Sequence, residues 1–175
     1  MIIHNVIEAC SDGRERILDL SERVVAVVHR TESGHDAFEV ANLYRTNDEA
    51  GRITGYQMPY TFVIDRSGHI EQALKLSDHG PHARAWNSKG IGIGVIGDFR
   101  RHSAPAAQYK SLVWLLAVLG GWLGGTSKVF GHDELHDSMG DPLKQCPGEL
   151  LDMMVLRDDV RLEMTGLLTS SGVVL

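Results

Sequence analysis

The stretch VFGHDELHDSMGDPLKQCPGEL, residues 129–150, gathers the groups of this chain best suited to chemistry: two histidines four apart, five carboxylates, a lysine and one of two cysteines. Imidazole nitrogen and thiolate sulfur are ligands that zinc prefers, so the first question is which of them hold a metal. Two arrangements are open. His132 and His136 have the i, i+4 spacing of a helical zinc protease, in which a glutamate beside the first histidine is the general base. Here that neighbour is Asp133, whose carboxylate reaches less far, and Gly140 and Pro142 leave room for at most about two helical turns. The protease motif fails at its catalytic position. In the second arrangement Cys146 pairs with one of these histidines and a distant residue. Pro147 predicts a helix opening there, with Cys146 at its N-terminal end, where the helix dipole favours thiolate. His29 closes the β-branched run VVAVVH and projects from a sheet edge toward whatever cleft lies there. His29, His132 and Cys146 together supply two imidazoles and a thiolate. Three protein ligands with a fourth position left for water is the arrangement of a catalytic zinc.

The glycines of GIGVIG, Gly92 to Gly97, match a dinucleotide-binding fingerprint. That fingerprint needs a strand before it and a helix opening on it. Here the glycines lie inside a strand and the loop DFRRHSAP follows, which reads instead as a strand needing close backbone approach.

Elements must carry these side chains. RVVAVVH (Arg23 to His29) predicts a buried strand. HDAFEVANLYRTND has apolar residues at Phe38, Val40, Ala41 and Tyr44, an amphipathic helix. PYTFVIDRSGHIEQAL predicts a hairpin turning at Asp-Arg-Ser-Gly. KGIGIGVIGDF is a strand with Gly90, Gly92 and Gly94 on one face and Ile91, Ile93 and Val95 on the other. APAAQYKSLVWLLAVLGG is a helix opened by Pro105 and closed by Gly120-Gly121. SKVF is a short strand, and PGELLDMMVLRDDVRLEM the last helix. Interleaved strands and helices predict an α/β class: one domain over residues 1–175, a central mixed β-sheet flanked by helices. The roles of residues 1–22 and of the tail from Thr165 are not legible.

Composition limits the function. A chain of 175 residues with 43% hydrophobic content buries a core without disulfides. Two cysteines make no disulfide framework. A net charge of −6 without a basic face disfavours nucleic acid. The apolar run Leu112 to Gly125 is too short and too glycine-rich to span a bilayer, so no membrane span is expected. The N-terminus shows no signal peptide, so the chain is expected in the cytoplasm at synthesis, as a monomer.

Four pieces stand in order: VVAVVHRTES, PYTFVIDRSGHIEQ, HARAWNSKGIGIGVIGDF and FGH…KQCPG. In them the chain resembles the zinc-dependent N-acetylmuramoyl-L-alanine amidases, which share a fold with phage lysozyme-amidases and peptidoglycan recognition proteins. The resemblance covers residues 23–152. It implies one Zn2+ on His29, His132 and Cys146. It implies hydrolysis of the amide between the lactyl group of N-acetylmuramic acid and L-alanine, with peptidoglycan or a muropeptide as substrate. Tyr60 matches the active-site tyrosine and Lys144 the lysine beside the reacting carbonyl. His82 matches a cleft histidine counted with the catalytic groups, and Trp86 and Asn87 join it in substrate binding. One departure stands out: His132 and Cys146 are 14 positions apart, longer than the usual loop, so HDSMGD reads as an insertion and keeps His136 open as a rival ligand. The implied role is a phage or prophage endolysin or other bacteriolytic enzyme, reaching the wall through a holin or secretion system. A cytoplasmic muropeptide-recycling amidase and a non-catalytic receptor are the alternatives, and Cys146, Tyr60 and Lys144 favour catalysis.

Overall fold

The β-branched and glycine-alternating runs form strands because their side chains fit between two covering layers, and the computed structural model shows how those layers stack. It describes residues 1–10, 19–32, 34–47, 49, 53–56, 58–135 and 145–170. In chain order the elements are β1 (Ile3–Asn5), α1 (Ile7–Cys10), β2 (Val25–Thr31), α2 (Ala37–Leu43), β3 (Arg45–Asn47), β4 (Ile53–Tyr56), β5 (Phe62–Ile64) and β6 (Ile70–Gln72). There follow β7 (Gly90–Ile96), α3 (Ala106–Leu123), β8 (Val129–Gly131) and α4 (Met153–Ser170). Six strands make one sheet in the order β1-β6-β5-β7-β2-β8, and β3 pairs with β4 separately. All neighbours in the large sheet run parallel except the β5–β6 hairpin. The expected α/β domain with a mixed central sheet is therefore present.

Alternation along the strands divides the core. Ala26 and Val28 of β2 and Ile91, Ile93 and Val95 of β7 pack with Leu112, Leu115 and Leu116 of α3 and with Leu156 and Val160 of α4. On the other face a smaller core joins Val63 of β5 to Cys10 of α1 and to Ala37, Val40 and Ala41 of α2. Gln108 is fully buried in α3 and its amide donates to the carbonyls of Ile64 and Ile96, at 3.0 and 2.9 Å. It pins α3 across the ends of β5 and β7. The hairpin turn is fixed by the Asp65 carboxylate, which accepts from the backbone N–H of Ser67 and His69 at 2.8 and 2.9 Å.

Several expected boundaries move. β2 runs two residues past His29, so His29 lies on the sheet's face and not at its edge. In α2 the buried stripe is Ala37, Val40 and Ala41, whereas Phe38 and Tyr44 are exposed. α3 continues through Gly120-Gly121 to Leu123 and ends on Gly124 at φ 90°, the left-handed conformation that caps helices. A side chain at Gly120 would meet Met164 of α4, so tertiary packing holds the helix there. α4 begins at Met153, not Pro147, because the Asp152 carboxylate caps it by accepting from the N–H of Met154 and Val155 at 2.8 and 3.1 Å. It also runs into the tail from Thr165, whose role the sequence left open, as far as Ser170. The N-terminal residues are likewise structural: β1 extends the sheet beside β6.

Candidate metal centre and cleft

Each candidate ligand is placed by a strand pairing. β2 and β7 pair so that His29 stands opposite Gly94, and His29 is 2% exposed. On the other flank β8 pairs with β2 as far as Val28 opposite Gly131, so the next residue, His132, emerges beside His29. Their ring centroids are 4.5 Å apart. His132 opens a single 3₁₀ turn to Glu134, not an α-helix. Glu134 closes that turn by accepting from the Gly131 N–H at 2.8 Å and is held by Arg157 of α4 through two bonds at 2.8 and 2.9 Å. A carboxylate so engaged is no general base, which removes the zinc-protease arrangement at its second acidic residue as well.

The chain returns with Cys146, whose carbonyl accepts from the Asp133 N–H at 2.8 Å. Its Sγ lies 3.9 Å from His29 Nδ1. One ligand atom each from His29, His132 and Cys146 lie within 4.8 Å of one another. A tetrahedral zinc with bonds of about 2.0–2.3 Å spaces its ligand atoms by ~3.4–3.6 Å, so the three fit one ion after closing by about 1.4 Å at most. Donor chemistry and spacing agree, and the set could hold a metal. Cys146 sits outside any helix, since α4 starts well beyond it; the expected dipole effect on the thiol is absent. Burial raises the thiol's pKa, and the backbone N–H and guanidinium of Arg30 oppose that rise.

Two more rings lie against His29 on a floor of glycines. Its ring is 5.1 Å from that of His82 at an interplanar angle of 86°, and 5.2 Å from that of Tyr60. A methyl built on Gly92 would come within 2.8 Å of His82, and one on Gly94 within 2.5 Å of Tyr60. The alternation that imitates a dinucleotide site thus clears space for two site rings. Thr61 donates its N–H to the Gly92 carbonyl at 2.8 Å, which sets Tyr60 alongside β7. Burial and neighbouring imidazoles hold His29 well below the usual histidine pKa. Burial takes His82 down to about 4. Burial raises the Tyr60 pKa far above the usual phenol range, reinforced by its hydrogen bond to Tyr44. At neutral pH Tyr60 is therefore a hydrogen-bonding phenol and not a base.

These groups border a cleft of about 300 Å³, with Arg30, Glu32, Tyr44, Tyr60, His82 and His132 among its walls. Tyr44, Arg30 and Glu32 escaped sequence reasoning. Tyr44 read as part of an apolar helix face, and nothing in RTES marks Arg30 or Glu32 beyond adjacency to His29. Trp86 and Asn87 are not among the cleft-lining residues. Trp86 ends a 3₁₀ turn, and the Asn87 side-chain oxygen accepts from the Ala83 N–H at 2.6 Å, bracing the segment that carries His82. Lys144 and His136 lie outside the described residues.

The comparisons with known proteins point the same way. Residues 22–149 match the family model described as N-acetylmuramoyl-L-alanine amidase. Peptidoglycan-recognition protein SC2 of Drosophila melanogaster is 26% identical over 133 residues, 70% of this chain and 67% of that protein. Among solved structures, the N-acetylmuramoyl-L-alanine amidase LysC from Clostridium intestinale URNW superposes with a TM-score of 0.69 at 19% identity, covering 91% of this chain and 97% of that one. The Ph2119 endolysin from Thermus scotoductus MAT2119 bacteriophage gives 0.66 at 20% identity, over 91% and 99%. Both structural likenesses are likenesses of fold. Among the described residues no helix is long and apolar enough to cross a membrane.

Proposed function

The chain belongs to the N-acetylmuramoyl-L-alanine amidase family, and from that premise we propose that it is a zinc-dependent hydrolase cutting the lactyl–L-alanine amide of peptidoglycan, in the manner of a wall-lytic endolysin. The observation that carries this reading is the convergence of His29, His132 and Cys146 beside an open cleft. When bound there, zinc supplies an acidified water and polarises the scissile carbonyl. The protein's own part is to hold and orient. Tyr60, neutral and fixed on the glycine floor, donates its phenolic hydrogen to the substrate amide or to the attacking water. Lys144 is the proposed cation beside the carbonyl oxygen; a preorganised donor of that kind is worth about 10²–10³ in rate. The rings and strands around His29 limit water to the cleft side.

The test is metal analysis of the purified protein with mass spectrometry of digested sacculi and of soluble muropeptides. One zinc per chain and release of peptides with a free L-alanine amine are expected, with clearing of intact wall. Release from soluble muropeptides alone would point to a recycling enzyme. Zinc-loaded protein that binds peptidoglycan without releasing amine would be a receptor and would overturn the hydrolase reading.

A further inference from the structure

His82 was expected to meet substrate, yet both of its ring nitrogens are already engaged. Nδ1 lies 3.0 Å from His29 Nε2, and Nε2 lies 3.2 Å from the Gly90 carbonyl oxygen. A carbonyl only accepts, so His82 must carry its proton on Nε2 and donate to Gly90. A neutral ring protonated there has a lone pair on Nδ1. His29 must therefore donate from Nε2, which leaves its Nδ1 lone pair free, and that atom is the one facing Cys146 Sγ.

We propose that His82 is a positioning residue: with the Gly90 carbonyl it locks His29 in the tautomer and orientation that present Nδ1 to the metal. The proposal rests on the metal reading above. The structure builds the seat on the sides away from the cleft. His82 is 8% exposed. Side chains at Gly90 or Gly92 would collide with its ring at 2.8 Å. The Gly90 carbonyl is held from behind by the buried Arg23, whose guanidinium also donates to the carbonyls of Leu76, Asp78 and Asn87. The Gly90 carbonyl thus faces His82 as a fixed acceptor. A ligand histidine whose second nitrogen is anchored in this way binds metal more strongly, and losing the anchor typically weakens affinity about 10–100-fold. The assignment also leaves His82 no N–H to offer a reacting oxygen.

The experiment has two arms. Long-range ¹H–¹⁵N spectra of the metal-free wild-type protein at pH 7.5 should show His29 protonated on Nε2 and His82 protonated on Nε2. Zinc titration against a competing chelator should show His82→Leu about 10–100-fold weaker than wild type. His82→Asn puts an amide oxygen at the Nδ1 position and should recover to within about threefold of wild type. An Nδ1-protonated His29 in the metal-free spectrum overturns the proposal, even where His82→Leu fails to fold. So does a His82→Leu protein with wild-type zinc affinity and a raised KM, which would return His82 to substrate binding. A wild-type chain that takes up no zinc overturns the metal reading and the relay's purpose with it. The metal-free spectrum separates that failure from failure of the relay itself.

Discussion

The glycine floor gives the sharpest prediction, at Gly94. It stands between His29 of β2 and Val63 of β5 in the sheet, and a methyl there would lie 2.5 Å from Tyr60 Cδ2 and 2.9 Å from Cε2. Carbon contacts settle at about 3.5–4.0 Å, so ring or strand must give by roughly 1 Å. Tyr60 is 6% exposed and backed by His29, so its ring has nowhere to swing without disturbing a neighbour. Overpacking of this kind costs about 1–3 kcal/mol. In a domain of this size 1 kcal/mol moves Tm by about 2–4 °C, so Gly94→Ala should melt roughly 4–8 °C lower for a cost near 2 kcal/mol. If Tyr60 has the role proposed for it, a displacement of that size costs about 10²-fold in rate. Amine release from muropeptide should fall accordingly while zinc stoichiometry stays at one, because no ligand is altered. Gly121→Ala is the control within the same chain. Gly121 sits on the exposed side of α3 with nothing within 4 Å of a built methyl. Alanine there should raise Tm by about 2–4 °C through helix propensity and leave turnover unchanged. Gly94→Ala protein with wild-type melting and wild-type amine release would refute the claim that the floor exists to seat Tyr60.

Three further outcomes follow from the same geometry. Cys146→Ser replaces a thiolate by a weak ligand and should weaken zinc binding more than about 100-fold, beyond what loss of an outer anchor does; retained stoichiometric zinc after dialysis against chelator would exclude the sulfur as ligand. The Cys146 thiol is raised by burial, so it is protonated at neutral pH and must lose its proton to bind metal. Zinc affinity should accordingly rise about tenfold per unit from pH 7 to pH 8 and be lost as pH falls, with about one proton released in calorimetry; a flat profile would contradict this. Arg157→Ala removes the clamp on Glu134 and the bond to the Val129 carbonyl, and both steady the turn that carries His132. Stability should drop by about 1 kcal/mol, and zinc affinity should drop with it; unchanged affinity would show that the turn holds itself.

Where local chemistry decides conformation, the sequence was legible. The Asp-Arg-Ser-Gly turn, the β-branched run before His29 and the glycine alternation in β7 each act through neighbours in the chain, and each forms the expected element. Boundaries set by tertiary contact were not. Gly120-Gly121 reads as a helix stop, but α4 packs at that point and the helix goes on. Pro147 reads as a helix start, but the Asp152 cap lies nearer the helix that forms. Three residues of β1 are too few for a periodic signal, and their partner, β6, is 67 residues away in register. Among site residues, His29, His132 and Cys146 were visible by their chemistry, although only His132 stands at the end of an element as expected. The engagement of His82 with His29 and Gly90 needs an angle and two distances that no spacing contains.

The two faces of the sheet explain why a cleft exists at all. One face is closed by the long helices α3 and α4 through large aliphatic side chains. Among the described residues the other carries only short α1 and α2, packed through Ala37, Val40 and Ala41 near β5, so no described helix covers β7 and β2 there. A bare strand of valines there would recruit another layer or aggregate. Glycines at Gly90, Gly92 and Gly94 instead leave a shallow trough one ring deep, and histidine and tyrosine rings fill it with groups that are apolar on their faces and polar at their edges. Burying such edges is costly unless each nitrogen finds a partner, and the path from His29 through His82 to the Gly90 carbonyl meets that requirement for three of the four nitrogens, leaving His29 Nδ1 turned to Cys146 Sγ. The hydrogen bonds that make the trough tolerable to the fold therefore also fix which His29 nitrogen faces the cleft, so stability and metal orientation cannot be varied independently at this position.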